Sequence, residues 1–211
     1  MNAISSRPKV TVIGCGHWGK NIIRNLAALG ALGGIADRDA ERAEAMAEIY
    51  NVPAVNIETA MTDPTHKALA IVTPVVTHYE LVNRALSNGK DVYVEKPLAL
   101  RRTEAEALLK IASDKKCVLM VGHLLRYHPG FMKLIEQVKA GAIGKIRHIA
   151  AHRLHYWPVH PEEDGIADLA PHDLAMIDGL LPEIPTDILV RRHAYLQPPH
   201  ADIAKVHLRY G

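Results

Sequence analysis

The chain has 211 residues, 48% of them hydrophobic, with 25 Lys and Arg against 23 Asp and Glu and a formal net charge of +2. Such a supply of apolar side chains can build a sizeable core without disulfides or structural metals, and it fits one large domain plus a smaller piece. The near-balanced charge, with no basic block set apart, argues against nucleic acid and anionic membrane as partners.

Cys15 and Cys117 lie far apart and belong to no CxxC pair, so neither a zinc site nor a disulfide framework is suggested. A reducing cytoplasm is the natural setting. The opening MNAISSRPKV lacks the apolar core of a signal peptide, and no run of about 18 apolar residues occurs, so the sequence reads as a soluble protein.

In chain order, Lys9–Ile13 is a β-branched run, followed by GCGHWG and then NIIRNLAAL, whose Ile22, Ile23, Leu26 and Leu29 recur at helical spacing. Gly30 ends that helix, ALGGIAD returns to a strand ending at Asp37, and DAERAEAMAEIY is rich in helix formers. The alternation continues through LAIVTP, THYELVNRALSNG, DVYVEKP, TEAEALLKIASDKK and CVLMVGH. Continuous apolar strands separated by helices predict a doubly wound parallel sheet covered on both faces, an α/β Rossmann domain over residues 1–123.

After Pro129 the pattern changes. A helix is predicted from about Phe131 to Ala140, and KIRHIAAHRL (145–154) alternates like a half-exposed strand. A polar loop, WPVHPEEDG, precedes the helical DLAPHDLAMIDGLL and the strand-like TDILVRRHAYL and ADIAKVHLRY. Residues 124–211 therefore read as a partial α+β domain with an antiparallel sheet, and no internal repeat is visible.

Gly14, Gly16 and Gly19 form G-x-G-x-x-G between a strand and a helix. The first two let the backbone turn and approach a pyrophosphate, and the third lets the helix pack closely. Glycine turns also occur wherever strands meet helices, so the motif gains weight from Asp37, eighteen residues after Gly19 at a strand end, where a carboxylate can accept from ribose hydroxyls. That carboxylate would repel a 2′-phosphate, which favours NAD over NADP. Arg38 beside it could attract such a phosphate, lie over the adenine, or be a solvated loop residue.

Thr73-Pro74, Glu95-Lys96-Pro97 and His123 each end an apolar strand and so fall on one sheet edge. A lone lysine is normally a solvated charge, but Lys96 sits between Glu95 and a proline at the end of a buried strand. Asp168 and His172, four apart, share a helix face, either as a site or as a plain surface pair. Two such residues could also ligate a metal, but no third ligand accompanies them, so no metal is expected.

The ordered motifs GCGHWG, IADRD, VTPVVTHYE, VEKP, GHLLRYHPGF, GAIGKI and DLAPHD together resemble the glucose-fructose oxidoreductase, inositol dehydrogenase and rhizopine-catabolism family, Gfo/Idh/MocA. The resemblance implies that Lys96 and His172 sit beside a reacting hydroxyl with Asp168 nearby. It also implies that Gly14, Gly16, His17, Trp18, Gly19, Asp37, Arg38, Thr73, Pro74, His78, Glu95 and Lys96 border the cofactor. His123, Arg126 and Tyr127 would line the substrate side, or pack the helix that follows.

The segment EEDGIADLAPHD stands where many members have a glycine-rich stretch, a form resembling the family's sugar-nucleotide 3-dehydrogenases. Family members also continue well beyond Tyr210-Gly211, so the chain is expected to be a C-terminally shortened member; relatives associate through the C-terminal sheet, which implies a homo-oligomer. The activity implied is hydride transfer between NAD and a secondary hydroxyl of a sugar, sugar nucleotide or cyclitol, with His172 as base and Lys96 stabilising charge on the oxygen. A dinucleotide-binding sensor without turnover, and an NADPH-dependent reductase of a small carbonyl, are the alternatives.

Overall fold

The computed structural model describes residues 8–154, 165–181, 183–196 and 198–211. The chain divides into two compact units, residues 1–122 and 123–211.

The first unit alternates strands and helices: β1 (Val10–Ile13), α1 (Gly19–Ala28), β2 (Leu32–Ala36), α2 (Ala40–Tyr50), α3 (Ile57–Thr62), β3 (Ala68–Ile71), α4 (His78–Ser87), β4 (Asp91–Val94), α5 (Arg102–Lys115) and β5 (Leu119–Val121). The strands form one parallel sheet in the order β2-β1-β3-β4-β5. Because side chains alternate across a strand, neighbours go to opposite faces. Ile13, Leu69, Ile71, Val92 and Val94 pack with Val82, Leu86 and Leu108, while Val12 and Ala70 pack with Ile23, Ile35 and Ala47. Both faces are covered, as a parallel sheet requires.

Helix ends follow local chemistry. The Asp39 carboxylate accepts from the Arg42 N–H at the start of α2, and the Asn56 side chain accepts from the Thr59 N–H at the start of α3; each such cap contributes about 1 kcal/mol. The six-residue α3 is absent from the sequence reading, because a helix that short carries almost no periodicity.

Register sets where the chemistry can lie. Ala36, Ile13, Ile71, Val94 and Val121 are paired in one row across the sheet. The next residues, Asp37, Gly14, Val72, Glu95 and Gly122, therefore emerge together at the carboxyl edge. The chain leaves β1 toward β2 on one side and reaches β3 on the other, so the switch point of the topology opens between β1 and β3.

The second unit contains α6 (Pro129–Lys139), α7 (Gly165–Leu180) and an antiparallel pair, β6 (Asp187–His193) with β7 (Ile203–Arg209). Where α6 and α7 meet, a Cβ on Gly179 would lie 3.3 Å from the ring of the buried Phe131. The run 145–154, expected to be a strand, is not one. A strand exists only where a neighbour accepts and donates along its edge, and β6 and β7 bond to each other. Arg153 instead forks onto Asp173 of α7, with Nη2 2.7 Å from Oδ1. The predicted WPVHPEEDG loop, up to Asp164, lies outside the described residues. No helix among the described residues is long and apolar enough to cross a membrane.

Candidate dinucleotide site and family

The turn after β1 is built for close approach. Gly14 has φ +98°, and a Cβ there would stand 2.5 Å from the Val72 carbonyl oxygen and 3.0 Å from Thr73 Cγ2. A Cβ on Gly19 would meet the Gly14 carbonyl oxygen at 2.1 Å. Gly16 differs: a Cβ there would find nothing within 4 Å, so its side faces open space. Helix α1 starts behind this turn with no side-chain cap and no acidic residue in its first turn, which leaves its positive end for an anion. His17 is exposed and Trp18 is 42% exposed on the same turn.

Asp37 is held at the end of β2 with its side chain 7% exposed. Oδ2 accepts from the Cys15 N–H (2.8 Å) and the Cys15 thiol (3.3 Å), Oδ1 from the Asp39 N–H (3.0 Å), and the Arg42 guanidinium stands 3.7 Å from Oδ1. Burial pushes this carboxyl up. The N–H groups of Asp39 and Cys15, the thiol and Arg42 outweigh it, so the group is held below the ordinary carboxylate range. Burial, with Asp37 next, pushes the Cys15 thiol up to about 12, which keeps it a donor at neutral pH.

Because the folded state favours ionised Asp37, its contribution is present above the unfolded value near about 3.9 and is lost as pH falls through the lower folded value. Asp37→Asn should therefore flatten the acid limb of a melting-temperature profile; an unchanged acid limb would contradict the assignment.

Glu95, 8% exposed, follows β4. Its Oε1 accepts from the Trp18 indole N–H (2.8 Å) and the Tyr93 hydroxyl (2.6 Å), tying the glycine turn to the end of β4. Burial first, then Glu95, raises the Tyr93 phenol, so it stays protonated as a donor. Gly122 lies against this pair, since a Cβ on it would be 2.5 Å from the Tyr93 hydroxyl.

Lys96 is half-buried, and the Lys96-Pro97 peptide is cis. Thr73 Oγ1 lies 2.7 Å from Thr77 Oγ1, and Pro74 is exposed. His78 is buried with its ring between two backbone carbonyls, so it borders this edge through the loops it holds. Arg38 is exposed, whereas Arg42, absent from the sequence reading, pairs with both Asp37 and Asp39.

In the second unit Asp168 and His172 are half-buried on α7, on either side of Pro171, and Asp173 of the same motif is taken by Arg153. His123 is half-buried, Tyr127 is 61% exposed, and Arg126 donates to Asp178 at 2.7 Å.

An NAD-type dinucleotide fits these residues. The open side of Gly16 and the uncapped α1 suit a pyrophosphate, and Asp37 at the adjoining strand end suits ribose hydroxyls. Residues 8–123 match the family model described as "Oxidoreductase family, NAD-binding Rossmann fold". The chain is 35% identical over 84% of its length to a UDP-N-acetylglucosamine 3-dehydrogenase of Acidithiobacillus ferrooxidans, spanning 55% of that protein. It is 31% identical over 84% of its length to an inositol 2-dehydrogenase of Rhizobium meliloti, spanning 56% of it.

A solved structure of the Acidithiobacillus ferrooxidans UDP-N-acetylglucosamine 3-dehydrogenase superposes with a TM-score of 0.86 at 31% identity, covering 96% of this chain and 65% of that one. The chain thus spans little more than half the length of the curated relatives it matches. A strand–glycine–helix turn, a strand-end aspartate and a family model over residues 8–123 agree, and the chain belongs to the Gfo/Idh/MocA oxidoreductase family, with its NAD-binding Rossmann fold.

Proposed function

We propose that this chain binds NAD, in preference to NADP, along the carboxyl edge of its parallel sheet, and oxidises a secondary hydroxyl of a sugar, sugar nucleotide or cyclitol. The observation that carries the reading is the pairing of Gly16, open on its side, with Asp37 fixed at the next strand end. Gly14, Gly16, His17, Trp18 and Gly19 would border the pyrophosphate, Asp37 and Arg38 the adenosine ribose, and Thr73, Pro74, His78, Glu95 and Lys96 the nicotinamide half. A 2′-phosphate would meet the Asp37 carboxylate, ionised at neutral pH and already bonded to the chain. The nicotinamide, when bound, supplies the hydride acceptor.

The chain's own side chains would do the rest. Lys96 would hold the substrate oxygen and stabilise negative charge developing there, and His172 would take the hydroxyl proton. Asp168 would hold a neighbouring hydroxyl or orient His172. His123, Arg126 and Tyr127 are the further substrate-side candidates, with Arg126 oriented by Asp178.

The relatives' names support the substrate class, and a sugar nucleotide is the first to test. Incubation with NAD and a panel of sugar nucleotides and cyclitols should give a substrate-dependent rise at the reduced-nicotinamide absorbance band. Saturable NAD binding with no turnover on any of them would make the chain a binding module instead. The exposed β6–β7 pair is the surface through which copies of the chain would associate, in the cytoplasm as a homo-oligomer.

A further inference from the structure

His78 opens α4 and is 1% exposed. Its Nδ1 lies 2.8 Å from the Pro97 carbonyl oxygen and its Nε2 lies 2.9 Å from the Thr73 carbonyl oxygen. A carbonyl oxygen only accepts, so each contact is a hydrogen bond only where the facing ring nitrogen carries a hydrogen. A neutral imidazole has one N–H. Whichever nitrogen carries it, the ring spans from the loop after β3 to the loop after β4.

We propose that His78, its ring held between the Pro97 and Thr73 carbonyls, clamps together the loops that follow β3 and β4 and thereby acts as a positioning residue for Lys96. Pro97 is bonded directly to Lys96, so fixing its carbonyl fixes the backbone from which the lysine side chain extends. The opposite anchor is firm as well. Thr77 Oγ1 donates to the Pro74 carbonyl at 2.7 Å and lies 2.7 Å from Thr73 Oγ1, which closes the loop that presents the Thr73 carbonyl.

The consequence for catalysis rests on the role of Lys96 proposed above, and the test is independent of turnover. For the positioning role, lysines are dimethylated with carbon-13 and the Lys96 signal is assigned with Lys96→Arg. That signal should shift in a folded His78→Gln variant while those of the distant Lys110 and Lys133 stay in place, and an unmoved Lys96 signal would overturn the role. If the Lys96 signal shifts as expected and no substrate turns over, the clamp stands and the oxidoreductase reading is what fails.

Discussion

Gly14→Ala is expected to cost the fold about 2–5 kcal/mol, whereas Gly16→Ala should leave stability nearly unchanged and weaken dinucleotide binding at least about tenfold. At Gly14 two penalties add. The φ of +98° disfavours any residue with a Cβ, and the new methyl carbon would stand 2.5 Å from the Val72 carbonyl oxygen. Val72 cannot retreat freely, because its own N–H donates to Ile13 at 2.8 Å. At Gly16 neither penalty applies, and the methyl group would enter the open space where a pyrophosphate fits. Thermal melts and NAD titrations of the two variants check this. A Gly16→Ala protein that binds NAD as tightly as the parent would show that the open side is not the pyrophosphate site.

Lys96→Ala and His172→Ala should each lower turnover by about 10²-fold or more while leaving NAD affinity largely intact. Both groups are proposed to act on the reacting hydroxyl, and neither on the pyrophosphate or the adenosine ribose. An interaction made mainly in the transition state, when removed, lowers kcat and kcat/KM together. Near-normal kcat in either variant, measured on a chain and substrate shown to be active, would remove that residue from the mechanism. Arg126→Ala provides a contrast, since Arg126, held by Asp178, is proposed to contact substrate without taking a proton, and its loss should act mainly through KM.

Much of the fold was legible in the residue string because a parallel sheet buries its strands on both faces. KVTVI, LAIVTP and DVYVEKP could hardly be anything but covered strands, and the glycine turn and Asp37 fell where the periodicity changed. The 145–154 run was misjudged because alternation reports which residues could face a core, and says nothing of whether a neighbouring strand is there to bond.

The geometry of the candidate site was legible at Gly14, Gly16 and Asp37, a glycine turn and a carboxylate at neighbouring strand ends. It was not legible at Cys15, Arg42 and Tyr93. Their roles depend on which side chain the fold brings to Asp37 or Glu95, and no spacing rule reports that. Arg42 had one available signal, its place three residues into the helix that Asp39 caps.

The most direct test of the account is calorimetric titration of the chain with NAD and NADP, repeated with Asp37→Ala. The parent should bind NAD saturably and NADP more weakly, and at about 100 times the dissociation constant NAD should add roughly 2.7 kcal/mol to folding stability. Asp37→Ala should lose NAD affinity and much of the discrimination between the two. An absence of binding heat and of any melting shift at saturating dinucleotide would contradict the account at its centre.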